Sequence, residues 1–250
     1  MSPDFFTWPE IQNLLARPFP PRQALQDLYA RLPATRCRRR ARCCALLPEM
    51  SWLEALAALD TLRRFSPDRR KHLLGKVLRY FLTNPLEISA CPFLEGAECL
   101  IYENRFFGCR AYGLWSPEEY RRRAEANQRA KRNLGEQWLR LGVRLPGAVL
   151  DFQVPYCRSL ELTSGPSVDD RGLVALEAEL ENLIDPRDPG AGRFRDLYFS
   201  DLSFLLAGLR WGVPQALRLK FTVVRDGLRG GTPPGRDQAW RGLEREDPFV

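Results

Sequence analysis

Residues 91–110 read CPFLEGAECLIYENRFFGCR, and this turn-rich stretch carries three of the chain's seven cysteines. The pair Glu95-Gly96 predicts a turn, and residues 98–102 predict one strand of a small hairpin after it. Six of the seven cysteines fall between positions 37 and 109, at Cys37, Cys43, Cys44, Cys91, Cys99 and Cys109. We therefore expect a cysteine-rich element built from loops and turns.

Helical periodicity dominates the rest of the sequence. The predicted helices cover about residues 8–17, 21–31, 49–64, 66–83, 117–141, 169–184, 194–211 and 214–228. Ser116-Pro117-Glu118-Glu119 has the capping-box form that starts the longest of them, whereas Gly190-Ala191-Gly192 predicts a loop. The predicted fold class is mainly α, a helical protein with a small cysteine-rich, metal-bound loop or β-hairpin element.

The composition changes near residues 142–160 and again after residue 228. These shifts predict four parts: an N-terminal helical cap at 1–35, a cysteine-cluster domain at 36–145, a helical C-terminal part at 146–228, and a flexible Gly/Pro/charged tail at 229–250.

Composition sets the broad class. The chain has 250 residues, 44% of them hydrophobic, with 38 Lys+Arg against 31 Asp+Glu and a net charge of +7, which is typical of a globular protein able to bury a core. No apolar run approaches the roughly 18 residues of a membrane span, and the first residues lack the pattern of a signal peptide. We expect a cytoplasmic protein with no membrane contact.

The cysteines suit a thiolate metal centre. Their odd number argues against a disulfide framework, and the single histidine, His72, excludes histidine-rich metal sites. An iron–sulfur cluster or an all-cysteine zinc site takes four thiolates, so seven cysteines allow one such site, and the sequence does not separate the two metals. Cysteines packed in the core without a ligand role are the alternative.

Arginines surround the first group of cysteines, at Arg36, Arg38, Arg39, Arg40 and Arg42. Nearby guanidinium charge lowers the pKa of a thiol and offsets the negative charge of several thiolates around one metal site. The same run of arginines is also typical of a solvated basic loop or of a nucleic-acid-binding patch.

The order and spacing of the cysteine motifs resemble those of the bacterial cysteine-cluster family. That family is described as a zinc- or iron-chelating domain and includes flagellin lysine N-methylases. The resemblance covers roughly residues 36–113 and is carried by Cys37-x5-Cys43-Cys44, Cys91-Pro92-Phe93-Leu94, Cys99-Leu100-Ile101-Tyr102-Glu103-x-Arg105 and Cys109-Arg110. Two positions depart from the family pattern: Arg40 replaces its second cysteine, and Phe106 replaces its usual proline.

The resemblance implies a ligand set and its neighbours. Metal ligands would come from Cys37, Cys43, Cys44, Cys91, Cys99 and Cys109, and the cofactor-binding residues around them would be Arg40, Tyr102, Arg105 and Arg110. Arginine can donate to thiolate or sulfide, and a tyrosine hydroxyl can orient a neighbour. On an extended chain the adjacent Cys43 and Cys44 point in different directions, so one of them can be structural. Cys157 is either a buried packing residue or a replacement for the ligand lost at Arg40.

The predicted function is therefore a metal-binding cysteine-cluster protein, linked by resemblance alone to protein lysine N-methylation; whether it is an enzyme stays open. Two alternatives remain: a metal-stabilised protein-interaction module without catalysis, and a basic nucleic-acid-binding protein that uses the arginine stripe of helix 117–141. A protein partner or protein substrate fits either of the first two hypotheses. No glycine-rich nucleotide-binding turn or hydrolase motif is present in the sequence, so methylation would need another kind of site.

Overall fold

The computed structural model describes residues 5–16, 21–37, 41–185 and 187–230. Within them the chain is mainly helical, as predicted. The helices are α1 (Trp8–Ala16), α2 (Pro21–Ala30), α3 (Trp52–Arg63), α4 (Pro67–Thr83), α5 (Phe107–Ala111), α6 (Pro117–Arg140), α7 (Gly147–Leu150), α8 (Asp170–Asn182), α9 (Pro189–Tyr198), α10 (Leu202–Trp211) and α11 (Val213–Leu228). The strands are β1 (Ala34–Cys37), β2 (Leu94–Glu95), β3 (Glu98–Cys99) and β4 (Leu160–Ser164).

Helix α10 lies at the centre of the largest core. Leu205 on this helix is fully buried, and Phe204 stacks on Phe81 of α4 with ring centroids 5.3 Å apart. The same core takes in Phe6 before α1 and Val223 on α11. Residues on both sides of the predicted boundaries near 35 and 145 thus share one core, and the predicted division into four parts stays a prediction.

Two smaller apolar clusters complete the packing. Leu28 of α2, Leu53 of α3, Phe107 of α5 and Leu176 of α8 belong to the first. In the second, Trp138 near the end of α6 stacks on Phe221 of α11 with ring centroids 6.0 Å apart. The helices α2, α5 and α8 therefore enclose one side of α3, while α4 and α10 belong to the core on its other side.

The predicted helix over residues 194–211 is wrong in extent, because the structure divides this region into α9 and α10. Phe199 and Ser200 both have φ of 54°, the left-handed conformation that ends a helix. The side chain of Asp201 then accepts hydrogen bonds from the N–H groups of Ser203 at 2.7 Å and Phe204 at 3.3 Å. Periodicity alone does not reveal this new N-cap, because it lies in the middle of an apolar run.

The prediction of a loop at Gly190-Ala191-Gly192 is also wrong, since these residues form the first turn of α9. Asp188 accepts hydrogen bonds from the N–H groups of Gly190 at 2.8 Å and Ala191 at 2.9 Å, and Pro189 begins the helix. A Cβ atom at Gly190 would lie 2.9 Å from Nε1 of Trp52. Glycine therefore lets α9 approach the indole ring.

The long helix begins at Pro117, as the capping-box pattern predicts, with one difference. Ser116 accepts a hydrogen bond from the Glu119 N–H at 3.1 Å. The Ser116 N–H, however, donates to Oδ1 of Asp170 at 2.9 Å instead of to the Glu119 side chain. Glu119 pairs instead with Arg122 at 2.6 Å and with Arg123 at 2.9 Å. The reciprocal half of the box is thus supplied by α8.

The predicted hairpin is present but shorter than expected. Leu94 pairs with Cys99, and Glu95 pairs with Glu98. The structure also contains a ribbon that the sequence did not predict: β1 and β4 pair antiparallel, with Cys37 opposite Leu160. This second ribbon joins the segment just before the clustered cysteines to the one that follows Cys157.

Among the described helices, none combines the length and the hydropathy that a membrane span needs. The predicted flexible tail lies outside the described residues, apart from Arg229 and Gly230.

The packing of α10 predicts a large effect of truncating its central leucine. We expect Leu205→Ala to lower the free energy of unfolding by about 2–5 kcal/mol, because it removes buried methyl groups and leaves a cavity. Leu217→Ala on α11 is the control, since Leu217 is 48% exposed, and should change stability by less than about 0.5 kcal/mol. Urea unfolding followed by circular dichroism measures both, and equal effects would contradict the central position of α10.

Candidate metal centre

Three separated segments bring five cysteines together. Cys43 and Cys44 lie on a short 3-10 turn, Arg42–Ala45. The second segment carries Cys91 and, on β3, Cys99. The N–H of Cys91 donates to the carbonyl of Cys44 at 2.6 Å, which ties this segment to the first. The third segment is α5, where the N–H of Cys109 donates to the carbonyl of Phe106 at 2.9 Å.

The thiols lie close enough to affect one another's ionisation. Burial raises the pKa of Cys109 well above its usual value, and negative charge on Cys91, Cys99 and Cys43 adds to that rise. Burial likewise raises the pKa of Cys91 to about 12, with contributions from Cys99 and Cys43. Burial is also the main cause of the raised pKa of Cys99. The predicted gathering of these cysteines is thus present for the five whose side chains are described.

Cys43 and Cys44 do not point apart as an extended chain would require. The 3-10 turn follows Ala41, whose φ of 54° is left-handed, so the two residues do not lie on an extended segment. Interaction between the two thiols lowers the pKa of Cys44 and is the main cause of the raised pKa of Cys43. Within this pair, Cys44 is therefore the thiol that ionises more readily.

An apolar floor supports the cluster. Phe93 and Phe106 are buried, and their rings meet edge to face with centroids 6.2 Å apart. Cys91, Cys99 and Cys109 pack against the core that contains these two rings. The motif C-P-F-L therefore does two things: it supplies a thiol and it anchors that thiol to the core.

Arg105 is a predicted neighbour of the cysteines whose positive charge acts on the thiols. Its guanidinium carbon is 3.7 Å from the centre of the Tyr102 ring, and its Nε donates to the Tyr102 carbonyl at 3.1 Å. Its positive charge opposes the rise in pKa of Cys43 and Cys99. Arg105 thus lies near the thiols, and its predicted role beside a metal stays a prediction.

The Arg110 side chain donates hydrogen bonds to backbone carbonyls. Its Nε donates to the carbonyl of Arg105 at 2.9 Å, and its Nη2 donates to the carbonyl of Glu103 at 2.5 Å. Its guanidinium carbon also lies 4.2 Å from the centre of the Tyr29 ring. Arg110 thus holds the segment that connects the hairpin to α5, next to Cys109.

Two predicted site residues cannot be placed. Arg40 lies outside the described residues, and so does the side chain of Cys37, whose backbone pairs with Leu160 in the ribbon. The roles predicted for these two residues stay predictions.

The loop that carries Cys157 is held by tyrosines. The hydroxyl groups of Tyr112 and Tyr120 donate to the carbonyls of Pro155 and Val154. Burial raises the pKa of Tyr112, and negative charge on Cys43 and on Cys157 adds to the rise. Both thiols therefore lie near one phenol, so the C-terminal part folds back toward the cluster, as a replacement ligand at Cys157 would require.

Metal-binding geometry is a stricter criterion than proximity. Among the described residues, no group of three or more His, Cys, Asp or Glu side chains is arranged to hold a metal ion.

A buried carboxylate that the sequence patterns did not predict lies beside this cluster. Glu54 on α3 is 3% exposed. Its Oε1 accepts from the Tyr29 hydroxyl at 2.6 Å and from the Phe107 N–H at 2.5 Å, and its Oε2 accepts from the Ser51 N–H at 2.8 Å. The spacing Ser51-x-x-Glu54 before an apolar run is a capping-box signal that could have identified it.

The basic stripe on α6 is partly neutralised. Arg122 pairs with Glu119, whereas Arg123 bridges Glu119 and Glu177 of α8, the latter at 2.7 Å. The arginine run of this helix thus includes ion pairs within the protein, as a solvated helix face would.

Comparisons with protein-family models, with curated proteins and with solved structures each found no match to the chain. The resemblance of the cysteine motifs to the cysteine-cluster family therefore stays a prediction.

The Glu54 network predicts a stability effect. We expect Glu54→Ala to lower the free energy of unfolding by about 1–3 kcal/mol, because it leaves buried donors on Tyr29, Phe107 and Ser51 without an acceptor. Tyr29→Phe should cost about 1.5–3 kcal/mol, since it removes a hydrogen bond to a carboxylate. Urea unfolding tests both variants. Glu125→Ala at an exposed position of α6 is the control, and stabilities equal to that control would contradict the network.

The same residue predicts a pH dependence. Burial raises the pKa of Glu54 above its usual 4.5, so the folded chain keeps a proton there at a pH where the unfolded chain has lost it. The resulting stability is fully present below the unfolded pKa and is lost as pH rises through the folded pKa. The advantage of the wild type over Glu54→Ala should therefore be larger near pH 5 than near pH 8. An advantage that grows with pH would contradict this sign.

Proposed function

We propose that the chain binds one metal centre, an iron–sulfur cluster or a zinc ion, through thiolates of the clustered cysteines. The observation that carries this proposal is the convergence of Cys43, Cys44, Cys91, Cys99 and Cys109 from three segments onto one side of the core. Cys37 belongs to the proposed ligand set through the family resemblance.

The cysteine thiols suit either kind of metal centre. Four thiolates complete either kind of centre, and five described thiols are available. Partly buried thiols are costly to ionise when no cation is near, as the raised pKa values of Cys91, Cys99 and Cys109 indicate. A bound metal supplies that cation and deprotonates its ligands. Arg105 offsets part of the remaining negative charge.

Metal binding would also join weakly held segments. The hairpin that carries Cys99 has only two residues in each strand, and the turn that carries Cys43 and Cys44 is four residues long. Binding free energy becomes folding free energy when the ligands are held loosely before binding. Zinc would act as such a cross-link, and an iron–sulfur cluster would add electron transfer.

The proposed link to protein lysine N-methylation has narrower support. It rests on the motif resemblance, which implies a protein substrate but identifies no substrate-contacting residue in this chain. Enzymatic activity is thus a consequence to test once the centre is identified.

Helix α6 supports a second candidate, a metal-stabilised interaction module. None of its described residues is buried, and Leu134 and Leu139 are 44% and 51% exposed. Such leucines beside arginines would offer a partner protein both apolar contact and hydrogen-bond donors. Zinc without sulfide in the protein would favour this candidate over redox chemistry.

Metal analysis tests the proposal. Protein purified without oxygen is expected to contain either iron with acid-labile sulfide and visible absorption, or zinc, in an amount equivalent to one centre per chain. Cys99→Ser and Cys109→Ser should each lose most of that metal, because each removes a thiolate from a different segment. Elemental analysis and sulfide determination provide the measurement.

Cys157→Ser is the matched control, since it removes a thiol from outside the five and should retain the metal. Loss of metal in this variant as well, with the fold intact by circular dichroism, would add Cys157 to the ligands. Wild-type protein without metal under these conditions, or full metal content in both ligand variants, would contradict the proposal.

A further inference from the structure

A second feature of the structure adjoins the segment that carries Cys91. A cleft of about 660 Å³ runs along α4, with the segment at residues 89–92 as its other wall. Its volume is in the range of sites for small molecules. Lys71, His72, Gly75, Lys76 and Arg79 line it from the helix.

The charge of this cleft is strongly one-sided. Lysine and arginine side chains contribute three permanent positive charges, at Lys71, Lys76 and Arg79, and Asp68 is the one carboxylate among the lining residues. His72, the single histidine of the chain, adds a further hydrogen-bond donor. A concave site lined by charge of one sign concentrates ligands of the opposite sign.

One of these cations is fixed in place. The Nζ atom of Lys76 donates to the carbonyl of Leu94 at 2.7 Å, which ties α4 to the hairpin. An ammonium group held by a carbonyl retains further protons to donate to a ligand. The cleft therefore has an ordered donor as well as a general positive field.

Gly75 lines the cleft at a position where packing does not require a glycine. Glycine inside a helix costs about 1 kcal/mol relative to alanine. A Cβ atom at Gly75 would meet nothing within 4 Å, so no neighbour excludes a side chain there. Lys71 and Arg79 lie four residues before and after Gly75, on the same face of the helix. The missing side chain opens a space directly between two cations.

We propose that this cleft is a binding site for a small polyanion, a molecule that carries phosphate or carboxylate groups. Lys71, Arg79 and His72 would bind the anionic groups, Lys76 would fix one end, and Gly75 would leave room for them against the helix backbone. The proposal does not depend on the metal centre, because the cleft residues are distinct from the clustered cysteines.

Isothermal titration calorimetry of the full chain at low salt, with tripolyphosphate and with citrate, tests the proposal. We expect the wild type to bind at least one of them, and the tighter of the two identifies the anionic group. Lys71→Gln should weaken binding about tenfold or more, the loss expected for one charge-assisted hydrogen bond. Gly75→Leu should weaken it further by filling the cleft.

Two control variants separate a site from general attraction to a basic protein. Arg129→Gln on α6 changes the net charge by the same amount as Lys71→Gln and should leave binding unchanged. Gly75→Ala should raise the thermal stability through helix propensity while it retains binding, which shows that the helix tolerates a side chain at this position.

Three results would overturn the proposal. One is no binding of either small anion. Another is equal weakening by Lys71→Gln and Arg129→Gln. The last is binding of a polyglutamate peptide when neither small anion binds, which would assign the cleft to an acidic protein segment.

Discussion

The burial of one carboxylate constrains the arrangement of three helices around the cysteine cluster. Glu54, in the first turn of α3, forms a reciprocal cap with Ser51, and the same side chain accepts hydrogen bonds from the Tyr29 hydroxyl of α2 and the Phe107 N–H of α5. A buried carboxylate is tolerated only when donors replace the water it has lost. The helices must therefore meet where all three donors reach it, and that position of α5 sets the position of Cys109.

The clustered cysteines face two opposing requirements. Cysteine packs readily among apolar side chains, yet a metal ligand must be ionised. Here the rings of Phe93 and Phe106 support the thiols from the core side, while Arg105 supplies positive charge. Interaction with Cys43 lowers the pKa of Cys44, whereas burial raises the pKa values of Cys91, Cys99 and Cys109. The apolar surroundings therefore oppose ionisation of most of the described thiols.

Sequence patterns predicted the helices well because caps and periodicity are local. Pro67 and Pro117 begin helices in the structure as their positions predict. The division between α9 and α10 was missed because Phe199 is an apolar residue in a left-handed conformation, which periodicity does not detect. The gathering of the cysteines was anticipated from their spacing and resemblance. Glu54 was not, since its partners Tyr29 and Phe107 are far from it in sequence.

The ribbon of β1 and β4 was missed for a related reason. Its register pairs Ala34 with Ser164, which are far apart in sequence. β1 reads Ala-Thr-Arg-Cys and lacks the apolar/polar alternation of a half-buried strand. This pairing has a consequence for synthesis. During synthesis, all the clustered cysteines emerge from the ribosome before β4. They also emerge before α10, the helix on which α4 packs. The nascent chain must therefore carry those thiols in an unfinished fold, and closing the long loop between the strands is a late and entropically costly step.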